Sequence, residues 1–229
     1  MTNDPDVLIS ASRNDVRQWG WDGIQLAERI FALRQETIPT LPAQASASPS
    51  QFAPVYMDHP DTWRILVTSD HQLVGCWHFL SLRKESFDLG LAGKLNVCDV
   101  HSDILRAMEE PGWYDIYVLT YILGSAFRLS ESSLGFARGM FDVLLDLAQR
   151  GIFIRGLAAN FISAHGLGIA RALGMEMKCP HEVQGSVYYK PLPEMLRELQ
   201  FSDRRGSFVG QLREYYPTDG TDVEVPRPS

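Results

Sequence analysis

The sequence is poor in cysteine, and the few that it has form no pattern. Three cysteines occur in 229 residues, far apart at Cys76, Cys98 and Cys179. An odd number of separated cysteines without metal-ligand spacing argues against a disulfide framework and against a zinc site. Free thiols are typical of a reducing compartment. We therefore expect a cytoplasmic protein that holds no metal.

The chain also lacks long apolar runs and an excess of positive charge. No stretch approaches the roughly 18 apolar residues of a membrane-spanning helix, and the segment from Met1 to Asp6 has no apolar core like that of a secretory signal. The formal net charge is −7, with a pI near 5.3. We therefore predict no nucleic-acid partner and no membrane partner.

What the sequence does contain is enough apolar residues for one sizeable folded domain. Hydrophobic residues make up 45% of the 229 positions, which is ordinary for a globular protein of this size. We predict a single domain over residues 1–200, with a flexible loop at 39–54 and an insertion at 83–112. Residues 201–229 are predicted to be a C-terminal extension whose end is disordered.

The most informative stretch runs from Ser132 to Met175. A turn of small residues precedes apolar positions with helical spacing, and Gly151 then ends the helix. A nearly uncharged strand from Phe153 to Ile162 follows, and after it a second helix. The helical positions are Phe136, Met140, Val143, Leu144 and Leu147. A helix that begins beside a strand end has free N–H groups and can hold a phosphate.

Two short motifs in this stretch resemble those of the GCN5-related N-acetyltransferase (GNAT) superfamily. The first resembles Q/R-x-x-G-x-G/A and covers Ser132, Ser133, Leu134, Gly135, Phe136 and Ala137. Gly135 and Ala137 match, whereas Ser132 stands where the family has Gln or Arg. The second resembles N-x-x-A-x-x-L-Y-x-x-L-G-F. It places Ser163 at the Asn, Gly166 at the Ala, Ile169 at the Leu, Ala170 at the Tyr and Met175 at the Phe.

The resemblance implies an α/β (α+β) fold with a mixed central sheet flanked by helices, and acetyl-CoA as the co-substrate. The residues that it implies for cofactor binding are the end of the central strand, the first motif and the start of the second helix. These are Phe127, Leu129, Ser132, Ser133, Leu134, Gly135, Phe136, Ala137 and Ser163.

The remaining predicted elements resemble the order of strands and helices in the GNAT fold. The predicted elements are a strand at Val7–Ile9, helices from Asn14 with a break near Gly20, a hairpin of 63–67 and 73–80, a helix around 102–109, a central strand at 114–127, closing strands at 176–181 and 186–190, and a helix at 193–199.

Candidates for the proton transfers are few. Members of the family often use a Glu on the central strand as base, but residues 116–126 carry no carboxylate, and Asp115 lies at the wrong end of the strand. The family's usual acid, a Tyr, is replaced by Ala170, which cannot donate a proton. We consider four substitutes: His165, in the first turn of the second helix, and Tyr121, Tyr188 and Tyr189. His78 and His101 are interpreted as structural.

Three functions remain open at this point. The first is an N-acetyltransferase that passes acetyl from acetyl-CoA to a small-molecule or peptide amine by direct attack in a ternary complex. The second is an acyltransferase like the acyl-homoserine-lactone and N-acyl-amino-acid synthases, with longer acyl donors. The third is a non-catalytic module that binds acyl-CoA. A homodimer is an assembly that the sequence leaves open.

Overall fold

The structure, a computed structural model, describes residues 8–39, 42, 47–127, 131–199 and 208–216. Its strands are Ile9–Ala11 (β1), Trp63–Val67 (β2), Leu73–Ser81 (β3), Gly112–Leu123 (β4), Ile152–Phe161 (β5), Glu176–Pro180 (β6) and Ser186–Pro191 (β7). Its α-helices are Arg13–Gln18 (α1), Gly23–Thr37 (α2), Pro49–Asp58 (α3), Lys84–Leu91 (α4), Glu131–Gln149 (α5), Ala164–Ala172 (α6), Leu192–Glu198 (α7) and Phe208–Tyr215 (α8).

The chain forms two compact units. Unit 1 consists of Met1–Leu80, Leu95–Leu105 and Val118–Met140, and unit 2 of Ser81–Lys94, Arg106–Tyr117 and Phe141–Ser229. Strand β4 and helix α5 each run through both units. The hydrogen-bonded strand order is β1-β2-β3-β4-β5-β7-β6, of which unit 1 holds the part from β1 to the second half of β4. The first half of β4 belongs to unit 2, together with β5, β7 and β6.

The strands of unit 1 are built on an antiparallel hairpin. Strands β2 and β3 pair antiparallel, with Ile65 opposite Cys76, and β1 adds to the free side of β2. The turn between β2 and β3 closes through the Thr68 N–H, which donates to the Gln72 carbonyl at 3.0 Å. This confirms the predicted hairpin, whose two apolar runs are separated by polar turn residues.

The helices of unit 1 begin at recognisable capping residues. Asp22 caps α2, because its carboxylate accepts from the Gln25 N–H at 2.8 Å while the Gln25 side chain accepts from the Asp22 N–H at 3.0 Å. The Ser48 hydroxyl accepts from the Gln51 N–H at 3.2 Å, and Pro49 occupies the first turn of α3. Helix α3 therefore begins inside the segment that the sequence predicted to be a loop, since Ser followed by Pro is a start signal.

Along the chain, helix α5 joins β4 to β5. The Gly112 N–H donates to the Gly151 carbonyl at 2.9 Å, so both strands begin at the same edge of the sheet and run parallel. Strand β7 pairs antiparallel with β5 and with β6, and Ala158 lies opposite Tyr189. The parallel and antiparallel pairs make a mixed sheet, and this confirms the predicted fold class.

Two predicted elements are wrong in extent. The helix expected around residues 102–109 is reduced to one 3₁₀ turn at Ser102–Ile104, and the helix of that region is α4 instead. The central strand ends at Leu123, because Ser125–Phe127 forms a 3₁₀ turn rather than more strand. Within the described ranges, no helix is both long and apolar enough to cross a membrane.

Candidate functional site

In unit 1, the chain leaves β4 through a tight turn and then enters α5. The Gly124 N–H donates to the Val74 carbonyl at 2.7 Å, and the Phe127 N–H donates back to the Gly124 carbonyl at 2.9 Å. A Cβ atom at Gly124 would lie 3.3 Å from the Val74 carbonyl oxygen, so a side chain there would be crowded. This turn ends the strand four residues earlier than the sequence suggested.

Helix α5 begins at Glu131, so all six positions of the first motif lie in its first two turns. In a helix that begins at Glu131, the N–H groups of the first turn, those of Ser132 and Ser133 among them, have no acceptor within the helix itself. The N–H of Gly135 has an intrahelical acceptor, the carbonyl of Glu131. The donors that the helix leaves for other groups are therefore at the start of the motif rather than at its glycine. Leu129 lies outside the described residues.

Tyr121 is brought next to the first motif. Its ring packs against Phe136 of α5 with centroids 5.3 Å apart, and Phe136 is 2% exposed. Burial raises the pKa of Tyr121 to about 12, so the phenol keeps its proton at neutral pH. Unit 1 thus places a protonated phenol near the end of β4, in contact with Phe136 of α5.

In unit 2, Ser163 and His165 lie where β5 gives way to α6. The Ser163 hydroxyl accepts from the Gly166 N–H at 3.1 Å and caps the helix. Both Ser163 and His165 are exposed. A Cβ atom at Gly166 would lie 2.9 Å from Phe161 Cδ1, whereas one at Gly168 would meet nothing within 4 Å. Gly166 is therefore explained by packing, and Gly168 leaves open space beside α6.

Asp115 is the fourth residue of β4 and lies in unit 2. Its carboxylate is 3.1 Å from an Arg155 guanidinium nitrogen. Burial raises the pKa of Asp115, and the charge of Arg155 opposes that effect. An ion-paired carboxylate at the beginning of the strand has a structural explanation.

Packing accounts for the other residues of unit 2 that the sequence analysis considered. Ala170 is completely buried, and Tyr188 and Tyr189 pack against Phe161 and Phe87 with centroids 5.6 and 6.3 Å apart. No group of three His, Cys, Asp or Glu residues suited to a metal occurs in the part of the chain that the structure describes.

One polar residue near the end of β5 was missed by the sequence analysis. The Asn160 Nδ2 donates to the Gln184 carbonyl at 2.9 Å, and its buried Oδ1 has no partner among the described residues. The side chain ties β5 to the turn between β6 and β7. A polar residue at the end of an otherwise apolar strand is the signal that could have identified it.

Comparison with known proteins shows the fold. The chain matches the loading GNATL domain of CurA from Lyngbya majuscula at a TM-score of 0.52 and 8% identity, over 82% of this chain and 100% of that one. It matches the GphF GNAT-like decarboxylase in complex with isobutyryl-CoA at 0.50 and 12%, over 81% and 99%. A GNAT-family acetyltransferase of Staphylococcus aureus matches at 0.49 and 7%, over 81% and 99%.

No protein-family model matches the chain, and a search of curated proteins finds no match either. The resemblance noted in the two sequence motifs is thus confirmed at the level of the fold: the chain has the GNAT fold.

Proposed function

We propose that this chain is an acyltransferase that moves the acetyl group of acetyl-CoA to a primary amine by direct attack in a ternary complex. The observation that carries the proposal is the start of α5, a 19-residue helix that begins at Glu131, the next described element after β4 and the turn at Ser125–Phe127. Aligned peptide dipoles and free N–H groups at such a start favour the pyrophosphate of coenzyme A. The isobutyryl-CoA bound in the GphF structure supports an acyl-CoA as donor.

The reaction needs an attacking amine, a polarised carbonyl and a proton for the leaving group. The neutral amine attacks the thioester carbon, the tetrahedral intermediate collapses with loss of the C–S bond, and the nitrogen releases one proton. The thiolate of coenzyme A takes up one proton. Tyr121 is the donor that we assign to that step or to a hydrogen bond with the thiolate, because its phenol is protonated at neutral pH.

Two features of the chain indicate a modest rate. Ala170 occupies the place of the family's usual acid, and Asp115 is held by Arg155. Most of the acceleration would therefore come from positioning and from hydrogen bonds to the developing oxyanion. The longer-chain acyltransferase and the non-catalytic module remain as outcomes of the test, since they differ in which acyl-CoA binds and whether it turns over.

The test is a thermal-shift titration with acetyl-CoA and with longer acyl-CoAs. At 100 times the dissociation constant, a ligand adds about 2.7 kcal/mol of apparent stability. Gly135→Glu places a negative charge in the first two turns of α5 and should abolish the shift. The matched control is Gln149→Glu, which adds the same charge at the exposed last residue of that helix. A variant Gly135→Glu that binds as well as the parent would refute the site.

A further inference from the structure

The turn between β6 and β7, residues 181–185, is held from two sides within unit 2. On one side, the Glu182 N–H donates to the carbonyl of Gly93, in the segment that follows α4, at 3.0 Å. On the other side, the Asn160 Nδ2 donates to the Gln184 carbonyl at 2.9 Å. The turn is therefore tied both to the segment after α4 and to the end of β5.

Gly185 lets this turn approach β5 more closely than a residue with a side chain could. Its φ is +89°, in the left-handed region that glycine adopts without strain. A Cβ atom at Gly185 would lie 2.6 Å from the Phe161 carbonyl oxygen, from Ile162 Cγ2 and from Asn160 Oδ1. The carbonyl oxygen belongs to the backbone and cannot rotate away, so an alanine at this position would have to displace the chain at Phe161 and Ile162.

Phe161 and Ile162 are the residues through which β5 leads into α6. The pairing of β5 with β7 extends to Phe161, opposite Ser186. Ser163, the next residue after Ile162, caps α6, since its hydroxyl accepts from the Gly166 N–H at 3.1 Å. The Phe161 ring also lies against α6, because a Cβ atom at Gly166 would be 2.9 Å from Phe161 Cδ1. The turn thus contacts the two residues that set where α6 begins.

The start of α6 is the place where the second sequence motif implies a contact with acetyl-CoA, through Ser163. The N–H groups in the first turn of a helix include donors that the helix itself does not use. A ligand binds more tightly to donors that are already in place, because less freedom is lost on binding. A shift of the residues before Ser163 would move these donors and would weaken binding.

We propose that Asn160 and Gly185 are positioning residues for acyl-CoA: they hold the turn of residues 181–185 against Phe161 and Ile162 and so fix the start of α6. Both act through the backbone that leads to Ser163 rather than through contact with the cofactor. The proposal rests on the proposed function, since it needs acyl-CoA to bind beside α6. It adds two residues that neither sequence motif contains.

The experiment measures the dissociation constant of coenzyme A for the full chain by isothermal titration calorimetry, below the melting temperature of every variant. Asn160→Leu removes the donor to the Gln184 carbonyl and keeps a side chain of similar size. It should weaken binding by about three- to tenfold, which corresponds to the net contribution of one hydrogen bond. Gly185→Ala should weaken binding more, because its Cβ atom would displace the backbone at Phe161.

Gly20→Ala is the matched control for Gly185→Ala. Gly20 also has a positive φ, +77°, but a Cβ atom there would meet nothing within 4 Å. The control variant therefore has a similar backbone strain without the displacement of a neighbour. It should lower the melting temperature and leave the dissociation constant of coenzyme A unchanged.

The outcomes distinguish positioning from stability. A lower melting temperature with an unchanged dissociation constant in Asn160→Leu and Gly185→Ala would overturn the proposal, as would equal weakening of binding in Gly20→Ala. If Gly185→Ala does not fold, Asn160→Leu decides the result. A parent that does not bind coenzyme A refutes the proposed function and this proposal with it. A parent that binds coenzyme A no better than the two variants do refutes this proposal alone.

Discussion

Replacing His78 with methionine should change how the stability of the protein depends on pH. The pKa of His78 falls from 6.5 to about 3 because the ring is buried, and His59 adds a smaller repulsive effect. The unfolded chain therefore binds a proton between these two values that the folded chain does not. It follows that stability from this residue is present above pH 6.5 and is lost as the pH falls towards 3.

The magnitude follows from the value of one pKa unit, about 1.4 kcal/mol. Between pH 7 and pH 4.5, His78 alone should cost the folded state about 2–3 kcal/mol. The rings of Tyr56 and Phe52 from α3 pack against His78 and carry no charge in this range, whereas His59 is the nearby group whose charge repels the protonated ring. With a urea dependence of about 1–3 kcal/mol per molar, the midpoint of urea unfolding should fall by about 1 M or more.

The assay is urea unfolding of parent and His78→Met at pH 7 and at pH 4.5. The variant should lose less stability on acidification, by about 2–3 kcal/mol. At pH 7 it should be at least as stable as the parent, because a buried donor without a partner is removed. His101→Gln, at an exposed histidine, is the control and should behave as the parent does. Equal pH dependence in parent and His78→Met would refute the reasoning.

Two further predictions concern the reaction and helix α6. Tyr121→Phe should lower the maximal rate without changing the Michaelis constant for acetyl-CoA, and His165→Ala, at an exposed position, should have the smaller effect. The measurement is steady-state kinetics with an accepted amine. If His165→Ala proved the slower enzyme, the assignment of the proton donor to Tyr121 would be wrong. Gly168→Ala should stabilise the protein by up to about 1 kcal/mol through helix propensity. Gly166→Ala should destabilise the protein, since the new Cβ would lie 2.9 Å from Phe161 Cδ1. Chemical unfolding that gave the two alanine variants equal stability would contradict this prediction.

Local signals were enough to predict most elements of the fold. Each of these elements is marked by a periodic run of apolar residues that ends at a stop signal, and both features depend only on residues close together in the sequence. This holds for the hairpin of β2 and β3, for the crossover through α5 and for the closing strands. The loop prediction over residues 39–54 was wrong from Pro49 onward. The loop prediction gave more weight to the four prolines of this segment than to the helix-start signal of Ser48 and Pro49, although a proline in a first helical turn is tolerated.

The sites were harder to predict than the elements, because the role of a side chain depends on which hydrogen-bond partners and how much solvent the fold leaves around it. The sequence interpretation treated His78 as structural, since no partner stands at ligand spacing. The structure also shows no hydrogen-bond partner for either ring nitrogen among the described residues. In a buried residue, that lack of a partner has an energetic cost. An unpaired histidine on a surface is satisfied by water, whereas one that is completely buried is not. Complete burial comes from tertiary packing, here from Tyr56 and Phe52 of α3.

Arg34 shows the same dependence on the fold. In the sequence it is one arginine in an amphipathic helix, a place where a solvated charge is the ordinary interpretation. In the structure its exposure is only intermediate, and burial lowers the pKa of its guanidinium. The neighbours of Arg34 in the sequence do not reveal this burial, because it depends on the packing of α2 against other elements of the fold. The environment of a charged side chain is therefore harder to predict from the sequence than the helix that carries it.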